Sequence, residues 1–309
     1  FSTYIQSTPD IDISVGAVCE GDSTYFFNYS TVVNANIVGI HWDFGDGNTS
    51  NTFAPIHLYS SPGTYVVQLT LTSNFGCTTD STLLVMVYPK PILQVNPVMV
   101  SGDSCSVPQT YLFNNNSTNA ISNSWDFDFY NNPGVNTSSV NSPQFTFTTA
   151  GIYHVALFAE SAFSCKDTLI IPIRVHDGVI SQGYFTPVSG CEPLDVLFVN
   201  QSIYSANLDT ITQIKWNFGD GSVSISTTDS LWHTYDDYGL YSVSLTVEMS
   251  SGCRDSTYIG LIQVHPTPKA DFQITKINLS TRLFTNLTSI VDSSVNYLWS
   301  FGDNQFSTD

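Results

Sequence analysis

An all-β chain of tandem antiparallel β-sandwiches is predicted by three observations. One strand-and-turn motif is written four times, as HWDFGDG at His41 to Gly47, SWDFDFY at Ser124 to Tyr130, KWNFGDG at Lys215 to Gly221 and LWSFGDN at Leu298 to Asn304. Apolar and polar residues alternate with a period of two in the long segments that follow it, as in PGTYVVQLTLT. No segment sustains an apolar period of 3.6 residues between helix caps.

Within each copy a Trp and a Phe stand two apart, so an extended backbone sends both rings to the same face. The predicted core pairs are Trp42 with Phe44, Trp125 with Phe127, Trp216 with Phe218, and Trp299 with Phe301. In two copies the Phe runs into Gly-Asp-Gly, where glycine tolerates positive φ and Asp can bond its own backbone, so the strand ends in a tight turn. The second copy continues as DFDFYNNPG and predicts a longer turn. Before the first turn, Val38, Ile40, Trp42 and Phe44 are expected to share a face. After it, Tyr65, Val67, Leu69 and Leu71 are expected inside, with Val66, Gln68, Thr70 and Thr72 outside.

The anchoring residues Trp42, Trp125, Trp216 and Trp299 are separated by 83, 91 and 83 positions, and Gly63, Gly151 and Gly239 by 88 and 88. These periods predict domains at residues 1–89, 90–177 and 178–267 and a partial fourth at 268–309. The junctions, YPKP after Val87, HDG after Val175 and HPTP after Val264, are too short for flexible coils, so the domains are expected end to end with limited bending. Some seven short strands per unit indicate a sandwich of immunoglobulin type. Tyr65, Tyr153 and Tyr241, each in a Gly-x-Tyr opening, hold the place of a tyrosine corner, in which a phenol bonds the backbone.

Only 11% of the residues are charged and the formal charge is -18, with the segment up to Tyr88 holding no Lys or Arg. Such a surface repels nucleic acid and anionic bilayers, so neither is an expected partner. No apolar run reaches the roughly eighteen residues of a membrane span. The fourth Trp stands ten residues before the last one, which predicts a piece of a longer array.

With these residues assembled, the repeats resemble PKD domains, which are immunoglobulin-like modules. The resemblance rests on WDFGDG, WNFGDG and WSFGD, on the downstream HxY, and on PGTY or YGLY followed by alternating VxLxV. It implies spacing, display and adhesion more often than catalysis. Arrays of this composition look like those of large secreted and surface proteins, including adhesins and filaments of Bacteroidota. The implied role is a rigid structural or adhesive segment of an extracellular bacterial protein. The alternatives are a glycan- or protein-binding module, or a spacer attached to a secreted hydrolase. Implied partners are neighbouring domains of a longer chain, other copies in a filament, or host, prey or surface glycans.

Six cysteines in three equally spaced pairs imply an oxidising compartment. Pairing within repeats would join Cys19 to Cys77, Cys105 to Cys165, and Cys191 to Cys253. Pairing across junctions would join Cys77 to Cys105 and Cys165 to Cys191, leaving Cys19 and Cys253 over. The set within repeats is the expectation.

The motif carboxylates Asp43, Asp46, Asp126, Asp128 and Asp220 invite a calcium reading, since hard cations want several oxygens. The stronger expectation is structural: Asp beside Gly in a turn bonds backbone amides, and Asp43 is replaced by Asn217 and Ser300. Asp10, Asp12, Glu20 and Asp22 form a second acidic cluster. His57 and His233 share a repeat position with Phe145, which points to packing. No HExxH, GxSxG or P-loop pattern occurs, so no catalytic residue is expected. Asp80-Ser81, Asp167-Thr168 and Asp255-Ser256 resemble a Bacteroidota O-glycosylation signal but equally suit a strand start.

Overall fold

A computed structural model describes residues 8–16, 18–289 and 296–308. The described residues contain strands and turns and no α-helix. Residues 1–101, 110–146 and 152–173 cluster as one compact unit, and residues 102–109, 147–151 and 174–309 as another.

In the first unit, the first repeat forms a five-stranded sheet in the order Val18–Cys19, Thr78–Tyr88, Gly63–Ser73, Ile37–Asp43, Thr49–Ser50. A three-stranded sheet of Ile13–Val15, Ser23–Asn28 and Ile56–Leu58 faces it. All pairings are antiparallel except the short edge strand Val18–Cys19, which runs parallel to Thr78–Tyr88. Phe26 from the smaller sheet meets Trp42, Phe44, Val67, Leu69 and Leu71 from the larger in one buried cluster. Alternation in Gly63–Ser73 is as expected, with Val67, Leu69 and Leu71 fully buried. Val38 breaks the expected phase and is exposed, because a bulge between Ile37 and Gly39 shifts the register and exchanges the faces upstream of it.

The second repeat's sheets are Thr137–Ser138, Ser122–Asp126, Gly151–Glu160, Lys166–Val175 and, opposite, Gln144–Phe147, Gln109–Asn115, Val95–Ser101. Phe113, Trp125, Phe127 and Leu157 are buried there.

In the second unit the third repeat repeats the first: Ser189–Cys191, Arg254–His265, Gly239–Met249, Ile211–Asn217, Val223–Ser226, faced by Gly183–Thr186, Leu194–Asn200 and Ser230–Tyr235. It carries the same bulge, between Ile211 and Gln213. The fourth repeat shows two hairpins, Phe272–Lys276 with Arg282–Asn286 and Trp299–Ser300 with Phe306–Ser307. Phe272, Phe284, Trp299 and Phe301 gather there, with Trp299 half-buried and Phe301 exposed, along an open cleft of about 430 Å³. The anchor rings of this repeat meet each other but are not covered.

The disulfides correct the expected pairing. Cys19 bonds Cys165 and Cys105 bonds Cys253, with Cα separations of 5.7 and 5.4 Å. Neither bridge contains Cys77 or Cys191. Each bridge joins the first cysteine of one repeat to the second cysteine of the next, instead of closing a repeat on itself. The reason is strand length. Cys77 lies in the turn before the 11-residue strand Thr78–Tyr88, whereas Cys19 pairs with Tyr88 at that strand's far end. At about 3.3 Å per residue the two stand roughly 35 Å apart, while a disulfide tolerates a Cα separation of about 7 Å. Beside the first bridge Tyr88 stacks on Phe163, with centroids 4.3 Å apart, so an aromatic contact accompanies the covalent one.

Candidate functional site

The chain's most elaborate side-chain cluster is the turn that follows each Trp anchor. Strand Ile37–Asp43 delivers Trp42 into the core, and its indole Nε1 donates to Thr52 O at 3.2 Å. Trp125 does likewise to Val140 O at 3.0 Å. Phe44 follows, and the chain turns at Gly45 with φ +79°. A Cβ at Gly45 would stand 2.6 Å from Val66 O, and one at Gly219 would stand 2.6 Å from Ser242 N and O. Glycine is therefore required twice over, for its backbone angle and for its lack of a side chain.

The Asp residues close these turns. Gly45 N donates to Asp43 Oδ1 at 2.9 Å, and Gly219 N donates to Asn217 Oδ1 at 3.0 Å, so an amide serves as well as a carboxylate. Asp46 Oδ1 accepts from Asn48 N at 3.0 Å, and Asp220 Oδ1 accepts from Ser222 N at 2.8 Å. Their other oxygens meet histidine: His57 Nε2 lies 2.7 Å from Asp46 Oδ2, and His233 Nε2 lies 2.6 Å from Asp220 Oδ2. Each imidazole also stacks on the motif Phe, with centroids 4.1 Å apart for Phe44 and His57 and 3.9 Å for Phe218 and His233.

A buried tyrosine completes the cluster. Tyr59 OH donates to Phe44 O at 3.1 Å, and Tyr235 OH donates to Phe218 O at 2.9 Å. Burial, with Asp46 and Asp220 close by, pushes both phenols far above their ordinary pKa. Desolvation also pushes Asp46 and Asp220 upward. It is outweighed by backbone and side-chain donors, the paired histidine among them, so both carboxyls settle below the usual carboxylate range. These tyrosines were not among the expected core residues. The signal was present in HxY, whose third position recurs as Tyr59, Phe147 and Tyr235.

The second repeat builds the same place differently. Phe145 replaces the histidine and stacks on Phe127 at 4.2 Å. Asp128 occupies the Gly45 position, is buried, and accepts from Asn131 Nδ2 and Asn132 Nδ2 at 2.7 Å each. Asp126 accepts from Asp128 N at 3.0 Å and from Gly134 N at 2.7 Å. The expected longer turn is thus held by a caged pair of carboxylates.

The corner phenols are bonded where expected in two repeats: Tyr65 OH donates to Ser61 O at 2.9 Å and Tyr241 OH to Asp237 O at 2.7 Å. Asp255, at a strand start, accepts from Ser181 N and Oγ at 2.8 Å each. In the N-terminal acidic cluster, Glu20 accepts from Lys90 N at 3.0 Å and Asp22 pairs with Lys90 Nζ at 2.5 Å. Among the described residues no three His, Cys, Asp or Glu side chains converge as metal ligands. Chemically, the cluster offers carboxylate–imidazole pairs stacked on aromatic rings, with the tyrosine hydroxyl and one carboxylate oxygen bonded to the chain's own backbone and, in the third repeat, the Trp216 indole Nε1 buried without a hydrogen-bond partner. No helix among the described residues is long and apolar enough to cross a membrane.

Parts of this chain match known proteins. The profile of the PKD domain matches residues 6–87 and 191–264, about half of the chain. A 64-residue stretch is 42% identical to the microbial collagenase of Vibrio alginolyticus, covering 21% of this chain and 8% of that protein. A 57-residue stretch is 44% identical to the pre-pro-metalloprotease PrtV of Vibrio cholerae, covering 18% and 6%. The matches therefore span less than a tenth of these relatives. Among solved structures, the PKD1 domain of Vibrio anguillarum Epp shares 32% identity, with 28% of this chain and 99% of that chain covered and a TM-score of 0.26. On the motif, the fold and the profile match, this chain belongs to the PKD domain family.

Proposed function

We propose that this segment is a non-catalytic run of spacer modules within a larger extracellular protein, in which it holds a separate working domain at a distance. The carrying observation is that the cluster around the Trp recurs in the first and third repeats with its tyrosine hydroxyl on a backbone carbonyl and its aspartate paired to its histidine. A catalytic site would need a singular, convergent pocket, and these clusters are duplicated and stacked shut. Disulfides between repeats favour an oxidising, extracellular setting.

Attachment to a hydrolase is the better-supported setting, because the curated relatives are a collagenase and a metalloprotease in which the matched part is a small fraction. Adhesin or filament roles, and the likeness to Bacteroidota arrays, rest on motif and composition. The test is to incubate the purified chain with gelatin, with casein and with insoluble collagen. A spacer neither cleaves the first two nor is retained on the third. Saturable retention would replace it with a binding module, and cleavage would overturn it outright.

A further inference from the structure

We propose that Cys191 is one half of a third inter-repeat disulfide, whose other half is the second cysteine of a PKD repeat following in the same chain. The proposal does not depend on the spacer reading. Two bridges set the rule, first cysteine to the next repeat's second cysteine, at sequence separations of 146 and 148. Cys191 is the first cysteine of the third repeat.

Cys191 is held as Cys19 is held. Cys19 pairs in parallel with Tyr88, and Cys191 in parallel with His265. Glu20 N donates to Tyr88 O at 2.9 Å, and Glu192 N donates to His265 O at 2.9 Å. Glu20 Oε1 accepts from Lys90 N at 3.0 Å, and Glu192 Oε1 accepts from Thr267 N at 3.1 Å. In the first repeat this frame presents a sulfur to Cys165. In the third repeat the same frame presents a cysteine that is exposed and outside any disulfide.

Two counts place its partner. Adding the observed separations to position 191 gives 337 to 339. The second cysteine follows its anchor Trp by 35, 40 and 37 positions, from Trp42 to Cys77, Trp125 to Cys165 and Trp216 to Cys253. Counted from Trp299, this gives 334 to 339. The counts overlap, and the second falls in the strands that would close over Phe272, Phe284, Trp299 and Phe301.

Bond formation is an exchange with a disulfide oxidant such as oxidised glutathione. The Cys191 thiolate displaces one glutathione thiol, and the partner thiolate then displaces the second. Two protein thiols become a disulfide and the oxidant becomes two thiols.

The test extends the chain. Residues 302–309 are replaced by a copy of residues 219–267, which completes the fourth repeat and supplies its second cysteine. The product is oxidised with glutathione, alkylated and peptide-mapped beside the unextended chain. Alkylation of Cys191 should fall from nearly complete to under roughly a tenth, with a peptide linking it to the grafted cysteine and both existing bridges unchanged. Continued alkylation in a folded product, linkage to Cys253, or dimers joined at Cys191 would each overturn the proposal. Should the graft not fold, Cys253→Ser in the original chain tests the rule. Cys105 should then alkylate as fully as Cys191 while Cys19–Cys165 persists, and a Cys105–Cys165 bridge would sink it.

Discussion

The turn after Trp42 and the turn after Trp125 lie in one unit, follow the same Trp–Phe anchor, and are closed by different chemistry. The first uses a left-handed glycine, a carboxylate on a backbone amide and an aspartate–histidine pair stacked on Phe44. The second uses no histidine: Phe145 takes the stack, and buried Asp126 and Asp128 are caged by amides. The aromatic face is common to both, as is the bond from the amide two residues on to the motif Asp, and the rest of the polar closure is not. Burying two large rings is worth several kcal/mol, whereas each polar contact nets about one, so the rings are held fixed while the closure varies.

The strongest way to break this comparison is to remove the common part. Trp42→Ala and Trp125→Ala should each cost about 3–5 kcal/mol, enough to unfold the affected repeat, as read by hydrogen exchange resolved by repeat. A small loss in either would mean that the rings are not what the two turns share.

A glycine directly after the motif Phe should matter in one closure only, since the second repeat carries Asp128 there. Gly45→Ala and Gly219→Ala should lose more than about 2 kcal/mol in denaturant titration, since the methyl would meet backbone at 2.6 Å, which no side-chain motion relieves. Tolerance of both substitutions would show that the turn can be remade as the second repeat makes it.

Acid offers a subtler contrast. Asp46 and Asp220 titrate below their ordinary value of 3.8 when folded, so the folded chain takes up their protons less readily than the unfolded chain. Their stabilising contribution is complete above that value and is lost as pH falls through the lower, folded one. Melting curves between neutral pH and pH 2 should show the first and third repeats losing on the order of 1 kcal/mol through these two groups, and Asp46→Asn with Asp220→Asn should shrink the loss, leaving in the third repeat the part due to Asp209 and Asp255, which their hydrogen-bond donors also hold low. An unchanged acid limb in the double variant would assign the effect elsewhere.

Smaller still is the phenol. Tyr59→Phe should cost about 1 kcal/mol by leaving Phe44 O without its donor, and the second repeat already carries Phe147 at that position. Adding calcium should leave all melting temperatures unchanged, because the motif carboxylates are engaged by amides and imidazoles. A calcium-dependent rise would show that they release those partners for the ion.

Much of this was legible in the residues alone. Two rings spaced two apart on a strand must share a face, and Gly-Asp-Gly must turn, because both follow from backbone geometry over a few residues. Val38 shows where that reasoning stops: a bulge one residue long exchanges the faces, and although Gly39 in IVGIHWDF is a residue that accompanies bulges, the third repeat bulges at the same place in ITQIKWN without one. The aspartate–histidine pairs lie 11 and 13 residues apart in sequence, across a turn, so only folding could reveal them. The cysteines make the same division. Their spacing established that they form a repeating set, since that is a property of the linear chain. Their partners were decided by which ends of long strands come to lie together in the folded chain, because a bond that reaches about 7 Å cannot span a strand of roughly 35 Å.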